Sequence, residues 1–151
     1  MEPLVKTLTK VDQDVAKKDP LAWSVQVDVV AGLSRFSDPL AVDGLVGAIR
    51  VGTGAVVKDA AAALGRIDDP RGVEALVGII RARSEGTPEA AEALGRIKDP
   101  RAVEPLISVL EGPLADWVYD KALTSLRQIT GQKLSKDPQA WRDWLAKQRG
   151  R

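Results

Sequence analysis

The 151-residue chain contains no cysteine and no histidine, and its few aromatics are four Trp, one Tyr and one Phe. The first two absences exclude disulfides, thiolate nucleophiles, imidazole acid–base chemistry and every metal site built on Cys or His. Net charge is nearly missing too. With 22 basic residues against 21 acidic ones, no global field draws the protein onto nucleic acid or an anionic membrane. Long apolar runs are also lacking. The chain opens MEPLVKTLTK and stays far short of the roughly 18 consecutive apolar residues of a membrane span, so neither a signal peptide nor a span is expected, and a cytoplasmic setting is. What is present is 44% apolar side chains, mostly Leu, Val, Ile and Ala, in a length that suits one domain over residues 1–151.

An internal repeat organises the rest. The segment ALGRIDDPRGVEALVGII at 63–80 returns as ALGRIKDPRAVEPLISVL at 93–110, and GLSRFSDPLAVDGLVGAI from Gly32 is a weaker copy. A period near 30 residues is that of a solenoid. Ala60, Ala63, Leu64 and Ile67 fall at i, i+3, i+4 and i+7, as do Ala90, Ala93, Leu94 and Ile97, and a second stripe (Val73, Leu76, Val77, Ile80) follows each Asp-Pro. Each unit therefore holds two helices, with the Asp-Pro between them. Asp38, Asp69 and Asp99 are read as caps that accept from early helical N–H groups, the proline costing no donor at the first helical position. Asp19-Pro20, Thr87-Pro88 and Asp137-Pro138 read the same way. The expected helices are about 2–10, 20–36, 39–50, 54–67, 70–83, 88–97, 100–111, 114–130 and 138–149. Leu33, Leu64 and Leu94 are expected in one buried seam, and the alanines beside them are expected to let stacked helices approach closely.

The ALGRIDDPRGVEALV and ALGRIKDPRAVEPLI segments resemble the HEAT-like repeats first associated with phycobilisome lyases. The likeness is close over about 31–111. Fainter copies extend it: EPLVKTLTK at 2–10 is similar to EPLISVLEG at 104–112, and ALTSLRQITG at 122–131 to the end of another unit. The resemblance implies an all-α fold, a right-handed alpha-alpha superhelix of about four helical hairpins. The terminal ITGQKLSKDPQAWRDWLAKQR resembles a segment that follows HEAT-like arrays in bacterial proteins, which makes about 132–151 a cap. There Trp141, Trp144 and Leu145 share a helical face able to cover the last hairpin. Members of the family often carry Gly where this chain has Asp68 and Lys98, so those turns are expected to be less tight. The repeat brings no catalytic motif with it.

Three groups of residues are candidates for binding. Arg35, Arg66 and Arg96 occupy equivalent positions near helix ends. They form a ladder that either holds carboxylates of a partner or pairs with cap aspartates such as Asp69 and Asp99. Asp28, Asp59 and Glu89 form an acidic row, interrupted at Lys121, that either receives a basic peptide or suits the local helix dipole. Residues 121–151 carry eight basic and two acidic side chains, and Lys133, Lys136, Arg142, Lys147 and Arg149 lead a basic patch. That patch is read either as a contact for nucleic acid or an acidic partner, or as the solvated face of a cap. Trp23 and Trp117, near helix starts, are placed by preference in core or edge packing rather than as exposed anchors.

No paired carboxylates across a pocket, alternating-oxygen cation loop or phosphate loop is recognisable, so no enzyme activity, cofactor or metal is expected. The leading expectation is a non-catalytic protein-binding scaffold, its partner another protein or an extended peptide. Two alternatives stand beside it: an accessory or chaperone-like member of a chromophore-lyase system, and a nucleic-acid contact through the basic end, the latter disfavoured.

Overall fold

The computed structural model describes residue 30, residue 32, residues 41–52 and residues 54–151. Asp28, Arg35, Leu33, Trp23, Asp38 and Asp19-Pro20 lie outside them, with the helix expected at 2–10 and most of that at 20–36. Seven helices are bounded within the described residues: α1 (Val42–Val51), α2 (Ala55–Ile67), α3 (Val73–Ala82), α4 (Thr87–Ile97), α5 (Val103–Leu110), α6 (Asp116–Thr130) and α7 (Pro138–Arg149). Among the described residues no strand is present.

The helices form two layers. Packing of α2 on α4 and of α4 on α6 builds the Ala-rich layer, while α1 contacts α3 and α3 contacts α5 in the second. Close pairing along the chain runs α1 with α2, α3 with α4 and α5 with α6. The hairpins therefore close between α1 and α2, at 83–86 and at 111–115, and the Asp-Pro joints link one hairpin to the next. This corrects the expected assignment of Asp-Pro to the turn within a unit. The difference has a local cause: Pro70 and Pro100 each open a short 3-10 turn (Pro70–Gly72, Pro100–Ala102) before α3 and α5, so the helices on either side of the joint diverge.

Asp69 and Asp99 cap as expected, accepting from Arg71 N–H and Arg101 N–H at 2.9 Å, and Asp137 accepts from Gln139 N–H at 3.0 Å. Thr87 does not cap. Gly86 occupies the N-cap position, and the Thr87 hydroxyl instead donates back to Ser84 O at 2.7 Å. The turns at Asp68 and Lys98 are as tight as a glycine would make them. Both residues take left-handed backbone, with φ 59° and 55°, and their N–H groups close on Leu64 O and Leu94 O at 3.1 and 3.0 Å. The expected loosening is absent; the missing glycine is expressed as strain rather than as an opened turn.

Leu64 and Leu94 are fully buried, together with Ala60, Ala61, Ala63, Ala90, Ala91 and Ala93. Two glycines that the pattern reading passed over set the layer spacing. A Cβ on Gly65 would sit 2.7 Å from Ala93 Cα, and one on Gly95 would sit 2.5 Å from Ser125 Oγ. Both distances are too short for real atoms, so α2, α4 and α6 approach as closely as they do only because these positions lack a side chain.

The end of the stack is closed in two parts. Helix α7 lies on α5, with Trp141 fully buried, its Nε1–H donating to Ser135 O at 2.8 Å and its ring edge-on to Trp144 at 6.3 Å. The segment 131–137 is tied back to α6 where Arg127 donates to Leu134 O at 2.9 Å and Lys136 meets Asp120 at 2.5 Å. Tyr119 secures the preceding loop: its hydroxyl accepts from Leu114 N–H at 2.8 Å and donates to Gly112 O.

Candidate functional site

On the Ala-rich layer, helical spacing brings Trp117, Lys121, Thr124 and Gln128 of α6 to one stripe, facing Glu92 and Arg96 of α4. These residues, with Asp120 and Ser125, line a groove of about 430 Å³. A smaller groove of about 160 Å³ continues between α4 and α2, lined by Ala62, Gly65, Arg66, Glu89, Glu92, Ala93 and Arg96. Its floor is shallow because Gly65 and Ala93 offer almost no side chain.

Of the expected sites, Arg66, Arg96 and Glu89 are brought together along these grooves, whereas Asp59 stands exposed on α2 outside their lining. Among the described residues, the cap aspartates Asp69 and Asp99 are not partners of Arg66 and Arg96. Asp69 and Asp99 are taken by the guanidinium groups of Arg71 and Arg101, each by bonds of 2.8–3.2 Å, which hold both carboxyls below their ordinary 3.8. The geometry explains why: a residue two positions after the cap reaches it from the same turn. Arg96 instead donates to Glu92 at 3.4 Å. Lys121 also donates to Glu92, and chiefly through that bond the Glu92 carboxyl lies below its usual 4.5. One oxygen of Glu89, Oε2, is buried with no hydrogen-bond partner.

Trp117 is 57% exposed, the one large hydrophobic side chain so exposed among the described residues. The preferred placement in core or edge packing is thereby overturned. It lies at the start of α6, and the helix that follows, α7, packs on α5 rather than over it.

The basic patch is not a free cluster. Arg142 binds Glu111 through two nitrogens, Nη2 to Oε2 at 2.6 Å, and so holds the Glu111 carboxyl low; Arg149 reaches Glu104 at 2.7 Å, and Lys136 meets Asp120. Lys133 and Lys147 stand exposed elsewhere on the cap. The Arg149 contact continues a periodic one, for Arg71 approaches Asp43 at 3.9 Å and Arg101 approaches Glu74 at 3.5 Å. Asp43, Glu74 and Glu104 are equivalent positions, and Arg149 of α7 meets the third as Arg71 and Arg101 meet the first two. The signal was legible in the repeat only at Arg71 and Arg101, which follow Asp69-Pro70 and Asp99-Pro100.

Stacked hairpins with a period near 30, Ala-rich on one layer and Asp-Pro at each joint, decide the kind of repeat. Residues 59–127 match the family of HEAT repeats. The match runs from within α2 to near the end of α6 and concerns HEAT repeats in general, not the phycobilisome-lyase kind. No curated protein matches the chain. Within the HEAT-repeat region and its cap, among the described residues, no three acidic, Cys or His side chains gather where they could hold a metal ion, and no helix is long and apolar enough to cross a membrane.

Proposed function

We propose that this protein is a non-catalytic scaffold that binds another protein or an extended peptide on the face formed by α2, α4 and α6. A right-handed stack, a concave form for that face and a cytoplasmic setting belong to the same reading. The observation that carries it is the exposed Trp117 indole at one end of a groove whose other walls are polar and charged. A large aromatic held on a rigid helix costs little entropy to immobilise and is the usual anchor of a binding face. Arg66, Arg96, Asp59 and Glu89 are the proposed charged contacts around it. The three ion pairs that tie Lys136, Arg142 and Arg149 to acidic residues favour a structural role for the basic end over nucleic-acid contact.

Affinity capture from the source cell tests the proposal. Partners retained by the wild-type protein should be lost with Trp117→Ala and with the double reversal Asp59→Lys, Glu89→Lys, but kept with Arg81→Glu, an exposed change on α3. Capture that is indifferent to the first two variants would place binding on another face.

A further inference from the structure

Each groove holds as many cations as carboxylates: Arg96 and Lys121 with Glu92 and Asp120 between α4 and α6, Arg66 and Arg96 with Glu89 and Glu92 between α2 and α4. The lining therefore offers no net field to a ligand of either sign. Around Trp117 the charges are also turned on one another. Arg96 and Lys121 donate to Glu92, one to each oxygen, and Lys136 meets Asp120 at 2.5 Å. A bound cation would compete with these three for the two carboxylates, and a bound carboxylate would compete with Glu92 and Asp120 for the same cations. The Thr124 hydroxyl is turned back on Asp120 O at 2.8 Å. What remains beside these groups is uncharged: the exposed Trp117 indole and the Gln128 amide, which can both donate and accept.

We infer that the groove between α4 and α6 binds an extended peptide that turns only uncharged side chains inward, a large apolar one lying on Trp117. This rests on the protein-binding reading and adds the chemistry of the partner. The Gln128 amide meets the peptide main chain, which is neutral and likewise both donates and accepts. Arg96 and Lys121 have N–H groups beyond the ones given to Glu92, so they serve peptide carbonyls as donors without exchanging partners. Past Glu92 and Arg96 the groove continues over Gly65 and Ala93, where a Cβ on Gly65 would stand 2.7 Å from Ala93 Cα. A floor with almost no side chain lets a main chain lie close, which favours a strand of peptide over a bulky folded surface.

The test is fluorescence anisotropy with a labelled decapeptide carrying Gln-Ser-Phe-Ser-Gln between Gly/Ser flanks. Residues two apart share a face of an extended chain, so both Gln side chains point where Phe does. Its counterparts carry two Glu, two Lys or one of each in place of Gln, or Ser in place of Phe. The Gln peptide should bind the wild-type protein at least about threefold tighter than any charged counterpart and about tenfold tighter than the one without Phe, with affinity unchanged between about 0.05 and 0.5 M salt. Trp117→Ala should erase the advantage of Phe over Ser. Glu92→Gln, which takes from Arg96 and Lys121 their shared carboxylate, should transfer preference to the Glu peptide, and Arg96→Gln with Lys121→Gln should transfer it to the Lys peptide. None of these side chains is buried, thermal midpoints matched to the wild type confirm folding, and the wild-type comparisons stand without the variants. A charged or mixed-charge peptide that binds as tightly as the Gln one, affinity that falls with salt, or equal displacement by a ten-nucleotide oligo-thymidine overturns the inference, as does binding of none. If partner capture from cells still depends on Trp117 in that case, the scaffold reading survives with a partner of other chemistry; if it does not, both fall.

Discussion

Asp68 and Lys98 hold left-handed backbone at the C-terminal ends of α2 and α4 and have side chains exposed to solvent. For an L-residue this conformation costs about 1–2 kcal/mol, less for Asp, whose short side chain can bond locally. Glycine adopts it freely but brings about 0.5–1 kcal/mol of extra chain entropy to be lost on folding. The balance favours glycine at both sites, and more at Lys98 than at Asp68. Lys98→Gly should raise stability by about 0.5–1 kcal/mol and Asp68→Gly by a smaller amount, read as a rise in urea midpoint at constant slope. A fall at Lys98 would mean that its left-handed turn carries no strain. The same two residues show what single positions concealed in the sequence. The absence of glycine was visible, but whether the turn would open or the residue would yield depends on the Leu64 and Leu94 carbonyls waiting to close it.

At the scale of the element, α7 is the test of how the stack ends. Its only fully buried side chain is Trp141, enclosed against α5 and hydrogen-bonded through Nε1 to Ser135 O at 2.8 Å. Truncating a buried indole removes its transfer energy and leaves a cavity, so Trp141→Ala should cost about 3–5 kcal/mol. Because the α5 stripe would then lack its cover, amide exchange should accelerate in α5 and α6 before it does in α2. Uniform acceleration throughout would show the stack to be one cooperative unit. Among the described residues helix existence was legible, since 3.6-residue stripes and Asp-Pro pairs depend on nearest neighbours along the chain; the expected 138–149 coincides with α7. The hairpin assignment was not, because two helices per period can pair across either joint and only the 3-10 turns at Pro70 and Pro100 decide between them. Candidate contacts divide the same way. Arg66, Arg96 and Glu89 were found by repetition, but Trp117 and Gln128 lie in an irregular unit two residues longer, where the period no longer points.

Across the whole molecule the electrostatics make one demand on stability. The sequence has neither His nor Cys, so no side chain ordinarily titrates between about pH 5 and 8. Among the described residues, the groups that folding does perturb lie outside that window. Hydrogen bonds from Arg71, Arg101, Lys121 and Arg142 hold the carboxyls of Asp69, Asp99, Glu92 and Glu111 below their ordinary 3.8 and 4.5. A carboxyl depressed in the folded state contributes its stability fully above the unfolded value and loses it as pH falls through the folded one. Their partners Arg71, Arg101 and Arg142, and Lys136 beside Asp120, are raised above values that are already far beyond neutrality, so they add nothing near pH 7. The thermal midpoint should therefore be nearly flat from pH 6 to pH 9, then decline below about pH 4.5 as the four carboxyls take up protons. Because these pairs lie at the surface, the decline should be shallow and should flatten further in 0.5 M salt. Circular dichroism melts across pH 3 to 9 at low and high salt measure both. A step in stability between pH 5 and 8 would require a buried group that titrates there, and would contradict this account of what the ion pairs contribute.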